Sequence, residues 1–324
     1  VKKLLYTFAM IGAISIGSTV FATGGICITV KNKQLPTDSP PIYDQGRVQV
    51  PLRAVSEALG ATVDWNQKSK TVTVRKWSEI VMLTVGKKTA SVGKEGGTGD
   101  SSEKINLDVS VKTFKNRVYV PLRFVSERYG YKVDWNNNTV SIQSPLDQNQ
   151  KAALYSGDLQ TSRKFVMDAM HSGFGHYEHM PLQTLHAHED YSTTFIFPEG
   201  EVLRFFAIEG NETVTHFEYQ DDLLVATWQA HLNKNGEDSI QQLLKDNLID
   251  RTGPTPKINK SFLYYSHGIM GDSSWEESGQ ISIGGKATQT GFISEVAGGV
   301  KDSSGTITLT RQDEIRKEVI KIPQ

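Results

Sequence analysis

Apolar positions in the first part of the chain follow a fixed order: a short alternation, a proline, then helical spacing. Val48-Gln49-Val50 alternates as a strand does, and Pro51 stops strand pairing while its fixed φ suits the first turn of a helix. Leu52, Val55, Ala58 and Leu59 then fall at i, i+3, i+6 and i+7, one face of a helix of about ten residues. Gly60 stands where a helix C-terminus takes a residue with positive φ. Val63-Asp64-Trp65 opens a further strand, and 66–70 is a turn into an alternating run at 71–74. The whole order returns 70 positions later as Val118-Tyr119-Val120, Pro121, Leu122, Val125, Tyr129, Gly130 and Val133-Asp134-Trp135, with Arg128 in place of Ala58. The second turn, Asn136-Asn137-Asn138, is two residues shorter, so the offset drops to 68 at the run 139–142. An ordered self-match of this length predicts a duplicated structural unit.

Between the copies, 80–85 and 89–92 flank Gly86-Lys87-Lys88 and predict a hairpin, and 94–103 is a Gly-, Ser- and charge-rich loop. Beyond 151 the pattern changes. A helix is expected at 158–170, with Leu159, Phe165, Val166, Ala169 and Met170 on one side. Strands at 192–197, 202–209, 213–219 and 223–232 follow, separated by Gly-, Asn- and Asp-bearing turns. A second helix is expected at 239–248 and further strands at 262–266, 280–283, 288–294 and 306–310. The fold class is α+β: a duplicated small antiparallel-sheet and helix unit, then a second α+β domain with a curved antiparallel sheet. The expected boundaries are a signal peptide at 1–22, the repeat domain at 26–143, a polar linker at 144–151 and the second domain at 152–324.

The ordered pattern from Gly46-Arg47-Val48 through Val50-Pro51-Leu52-Arg53-Ala54-Val55-Ser56-Glu57 to Val63-Asp64-Trp65-Asn66, with its second copy ending in Thr139-Val140-Ser141-Ile142, resembles the copper amine oxidase N-terminal-like domain. The resemblance covers roughly 26–143 and implies a stalk carried outside a catalytic body. It does not imply an oxidase. That chemistry needs a tyrosine after an asparagine to form the quinone cofactor and three histidines for copper, yet the chain has no Asn-Tyr pair and the repeat has no histidine.

Composition adds location. Lys2 and Lys3, the apolar run 4–20 and Val20-Phe21-Ala22 read as a secretory signal with its cleavage site, leaving no stable membrane span afterwards. Cys27 is the one cysteine, so no intrachain disulfide forms, and its place in Ile26-Cys27-Ile28-Thr29-Val30 suits a buried strand. Residues 1–150 hold 20 Lys and Arg against 12 Asp and Glu, while 151–324 hold 15 against 24. The near-neutral chain is therefore dipolar, which bears on partners rather than on fold. An acidic second half, with no phosphate loop or dinucleotide fingerprint, argues against nucleic acid as a partner.

Candidate chemistry is concentrated between His171 and His267, which bracket all eight histidines. His176, His179, His186 and His188, near His171 and interleaved with Glu178, Glu189 and Asp190, are the candidate ligands for zinc or copper. The motif is incomplete: His186-Ala187-His188-Glu189-Asp190 starts a di-zinc pattern, but Tyr191 stands where a further histidine belongs. No Gly-x-Ser-x-Gly elbow supports a serine hydrolase. In the repeat, Arg53 with Glu57 and Arg123 with Glu127 are read as helical ion pairs, and an anion site from the two arginines is the alternative. Trp65 and Trp135 are read as core anchors, with sugar-stacking platforms as the alternative, and Trp228 and Trp275 as the tryptophans open to polysaccharide. The expected function is an exported, non-enzymatic protein on the extracellular face of a Gram-positive-type envelope. Its stalk would present an acidic binding domain, with cell-wall polymers or another envelope protein as partners. The competing expectation is an extracellular metal-dependent hydrolase or metal-binding protein.

Overall fold

Proline ends each of the two central strands and starts each of the two first helices. In the computed structural model, which describes residues 25–36, 39–95, 102–136, 138–171, 175–183, 185, 191–233 and 237–318, strands Arg47–Pro51 and Arg117–Pro121 run straight into helices Leu52–Ala58 and Leu122–Arg128. The expected signal peptide at 1–22, most of the expected loop 94–103, and His186 and His188 lie outside the described residues. Both helices are seven residues long, shorter than the apolar spacing suggested, and Gly60 (φ +79°) and Gly130 (φ +81°) follow them in the left-handed region. A Cβ there would be strained, so glycine fixes where each helix stops.

The two strands pair antiparallel about Val50 and Val120, which face each other, with Gln49 opposite Pro121 and Pro51 opposite Tyr119. Hairpin partners Ile42–Asp44 and Lys112–Phe114 complete a four-stranded sheet. The tips of these hairpins, Gln45-Gly46 and Lys115-Asn116, all have positive φ, as two-residue turns that match strand twist require. A five-stranded meander runs from Thr62–Asn66 to Glu103–Asn106 on one side. On the other, Lys132–Asn136 pairs antiparallel with Thr139–Gln143, which in turn lies parallel to Cys27–Val30. Cys27 is in the strand the sequence suggested, half-buried rather than buried. Leu52, Val55, Leu59, Leu122, Val125 and Tyr129 share one apolar core with the valines of the flanking sheets.

That core continues into the second half through Leu223. Trp77 donates from Nε1 to Gln220 Oε1 (3.0 Å) and lies with its ring centroid 4.4 Å from that of His176. Ser78 N donates to the Tyr177 carbonyl (2.8 Å) and Lys31 pairs with Asp221 (2.7 Å). Lys76 is buried beside this seam, bonded to the Leu59 carbonyl and to Tyr131 Oη, and burial lowers its pKa to about 8. Within the predicted linker, Asp147 and Gln150 form a reciprocal cap on a short helix, Gln148–Lys151.

The second half is a curved sheet of ten strands, antiparallel apart from His176–Tyr177, which runs parallel to Leu223–Leu232. Register shifts at His216/Phe217, Ser278/Gly279 and Ser294/Glu295 mark bulges, which increase local twist and bend. Alternate residues point to opposite faces, so each face holds its own core. Phe195, Phe197, Phe205 and Phe217 pack with helix Leu159–His171, while Ile196, Phe206, Val214 and Trp228 pack with helix Ser239–Leu244. That second helix is shorter than 239–248 because Asp246 takes φ +57° and Leu248 begins strand Leu248–Thr252.

One strand expectation is corrected. The final edge strand is Gly299–Gly305, and 306–310 is not a strand. Gly305 (φ +64°) turns the chain off the sheet, and Arg163, fully buried, captures it by donating to the Leu309 carbonyl (2.7 Å) and to Glu314 (2.7 and 2.9 Å).

Candidate functional site

Trp65 and Trp135 lie on the outermost strands of their sheets, and this decides their environment. Each shares a face with a half-buried valine two residues earlier, Val63 or Val133, and sits opposite a buried one, Val72 or Val140. The inner edge of the indole therefore covers the core. No strand lies beyond, so the outer part stays uncovered: Trp65 is 38% exposed and Trp135 48%. The reading of both as core anchors is thus corrected. Alternation placed them on the correct face, but an edge strand leaves that face only half roofed.

Each indole borders an open cleft, of about 690 Å³ at Trp65 and about 680 Å³ at Trp135. The first is lined by Pro51, Leu52, Arg53, Val63, Trp65 and Val72 from one motif copy, and by Thr113, Lys115, Asn116, Arg117 and Val118 from the hairpin of the other. The second reverses the contributions: Pro121, Leu122, Arg123, Val133, Trp135 and Val140, with Tyr43, Gly46, Arg47 and Val48. Every one of the first six positions has its counterpart in the second cleft. Neither cleft can be assembled from one copy of the motif alone. In both, an indole and a proline–leucine step form the apolar wall, and two arginines, Arg53 with Arg117 or Arg123 with Arg47, stand beside it.

Arg53 and Arg123 are held loosely. Arg53 and Glu57 approach to 3.8 Å and Arg123 and Glu127 to 3.9 Å, all more than half exposed, so these helical pairs contribute only a few tenths of a kcal/mol. Arg47 Nε donates to Asp108 Oδ2 (2.6 Å). Trp65 Nε1 donates to Gln67 Oε1 (2.7 Å), which fixes the orientation of its ring. Such a surface can stack a flat apolar face and hold an anionic group. Among the described residues, the lining offers no histidine, cysteine or serine for acid–base or nucleophilic chemistry.

The candidate metal ligands fall elsewhere. His176 lies in the seam between the halves against Trp77, where burial, with Lys76 and Arg128 nearby, lowers its pKa to about 4. The His179 ring lies over Gly253, at the place a Cβ would occupy. His171 Nδ1 meets the Met167 carbonyl (2.8 Å) and its Nε2 lies 3.0 Å from His267 Nε2. Among the described residues, no group of three or more His, Cys, Asp or Glu is placed to hold a metal ion. The tryptophans named for the second half are also corrected: Trp228 is buried in the core, and the Trp275 ring is seated over Gly268.

Residues 29–144 match the copper amine oxidase N-terminal domain. The span holds both motif copies and both clefts. A protein of Brevibacillus choshinensis described as a protease inhibitor is 25% identical over 162 residues, 49% of this chain and 46% of that protein. The chain thus spans about half the length of the curated relative it matches. No helix among the described residues is long and apolar enough to cross a membrane.

Proposed function

We propose that this is an exported, non-enzymatic binding protein of the cell envelope. Its first half is a duplicated recognition module that holds an anionic envelope polymer, and its second half is an acidic body presented by that module. One observation carries the reading: two tryptophans are turned outward onto matching clefts, each flanked by two arginines. A scaffold alone has no use for an uncovered indole, whereas Trp and Arg are the residue types that dominate binding hot spots. The charge split supports the same reading, because the cationic half carries the clefts. Retention of the whole protein on purified cell walls tests it. Binding should weaken as salt rises and fall at least about tenfold in the Trp65→Ala, Trp135→Ala double variant. Retention that is indifferent to both removes the reading.

A second reading rests on the name of the Brevibacillus relative: the clefts, or the acidic half, engage a protease. It requires that a stoichiometric amount of this protein slow an exported protease on a protein substrate. Unchanged rates across serine, cysteine and metalloproteases would end it.

A further inference from the structure

The two clefts share a frame but differ in chemistry. Lys70 lines the Trp65 cleft, and its counterpart in the Trp135 cleft is Asn138. Lys115 also lines the Trp65 cleft, while the matching hairpin residue is Gln45. Asp108, which accepts from Arg47, adds an acidic group to the Trp135 cleft. In the other direction, Thr113 of the Trp65 cleft is matched by Tyr43, which is 68% exposed beside Trp135. One cleft is an indole ringed by cations and small polar groups. The other is an indole with a second aromatic ring, an amide and two arginines, of which Arg47 is already paired with Asp108.

We propose that the clefts divide the work on one acidic polysaccharide. The Trp65 cleft takes the pyranose that bears the anionic group, carboxylate or phosphate, and the Trp135 cleft takes an uncharged sugar of the same strand. A sugar ring has an apolar C–H face that matches a fixed indole, and hydroxyls that match Gln67, Asn116 and Asn138 at the rims. Either volume lies within the usual range for a small-molecule site of roughly 300–1,000 Å³. Two weak sites on one module, joined without a flexible linker, would favour a repeating ligand over a monomer through effective concentration. This inference rests on the envelope-polymer reading above.

The test is titration calorimetry on the whole protein at low and high salt. The probes are trigalacturonate, its neutral methyl ester, a phosphodiester-linked sugar oligomer and hexaglutamate. The expected result is that Lys70→Met with Lys115→Met weakens the anionic saccharides about three- to tenfold and flattens their salt dependence, leaving the ester unchanged. The reciprocal variant, Gln45→Lys with Asn138→Lys, should strengthen the anionic saccharides by a similar factor. Positive φ already accommodates a lysine at 70 and at 115, so folding should survive at 138 and 45. Tighter binding of trigalacturonate than of the phosphodiester oligomer identifies the anion as carboxylate, and the reverse order as phosphate. Equal affinity for acid and ester, equal affinity for hexaglutamate, or no response to either lysine pair overturns the proposal. If Trp65→Ala and Trp135→Ala each weaken binding while the lysine variants do nothing, only the division of labour falls. If neither tryptophan matters for any probe, the envelope-polymer reading falls with it.

Discussion

Trp65 and Trp228 are the same residue type on the same kind of strand, yet the molecule uses them in opposite ways. Trp228 sits on Leu223–Leu232, a strand buried along its whole length, with a helix closing its face of the sheet. Trp65 sits on an outer strand that nothing covers. The arginines divide likewise: Arg163 is fully enclosed and satisfied by Glu314 and three backbone carbonyls, whereas Arg53 and Arg123 stand in solvent. The second half spends its aromatic and cationic groups on its own cohesion. The first half leaves some of them exposed to solvent.

Variants can sharpen or break this contrast. The largest effect is expected at Arg163→Leu, which leaves Glu314 buried without its partner and should cost about 3–5 kcal/mol in urea unfolding. Arg53→Leu should leave stability within about 0.5 kcal/mol and act only on binding. Trp228→Ala should likewise cost about 3–5 kcal/mol by opening a cavity, against under about 1 kcal/mol for Trp65→Ala. Equal losses at the two tryptophans would mean that Trp65 is structural after all.

The seam and the second core respond to acid. His176 and His216 are held neutral by burial, with native pKa values of about 4 against an ordinary 6.5. The unfolded chain therefore takes up protons first. Stability is full above pH 6.5 and declines as pH falls toward 4, by on the order of 1–2 kcal/mol per histidine at pH 5. A pH series of thermal melts should show the decline, and His176→Gln should remove its own share. The smallest effect belongs to the exposed helical pair: Glu127→Gln should shift stability by about 0.3 kcal/mol, a loss that salt erases.

Much of the frame was legible in the sequence. The proline before each helix, the glycine after it and the hairpin around Gly86-Lys87-Lys88 are all where local rules place them. Helix Leu159–His171 and the strands between 191 and 232 also follow from periodicity. The misses share a cause. Whether Trp65 is roofed depends on what lies beyond an edge strand, and whether 306–310 joins a sheet depends on a buried arginine almost 150 residues away. Neither is a local property. For the site, Arg53, Arg123, Trp65 and Trp135 stood out in the repeat, but the crossed contribution of each hairpin to the other copy's cleft emerges only once Val50 meets Val120. Histidine density, by contrast, drew attention to residues that the structure disperses between the seam, the sheet and the end of a helix.

The parallel pairing of Cys27–Val30 with Thr139–Gln143 has a consequence for synthesis. Apart from its two-residue partner Lys33–Gln34, the earliest described strand has no neighbour until a stretch more than a hundred residues downstream has also emerged. Until then its apolar edge must wait in the open, where chaperones or a neighbouring copy compete for it. Closure of the first half is therefore a late event, set by the arrival of that distant strand rather than by local helix formation.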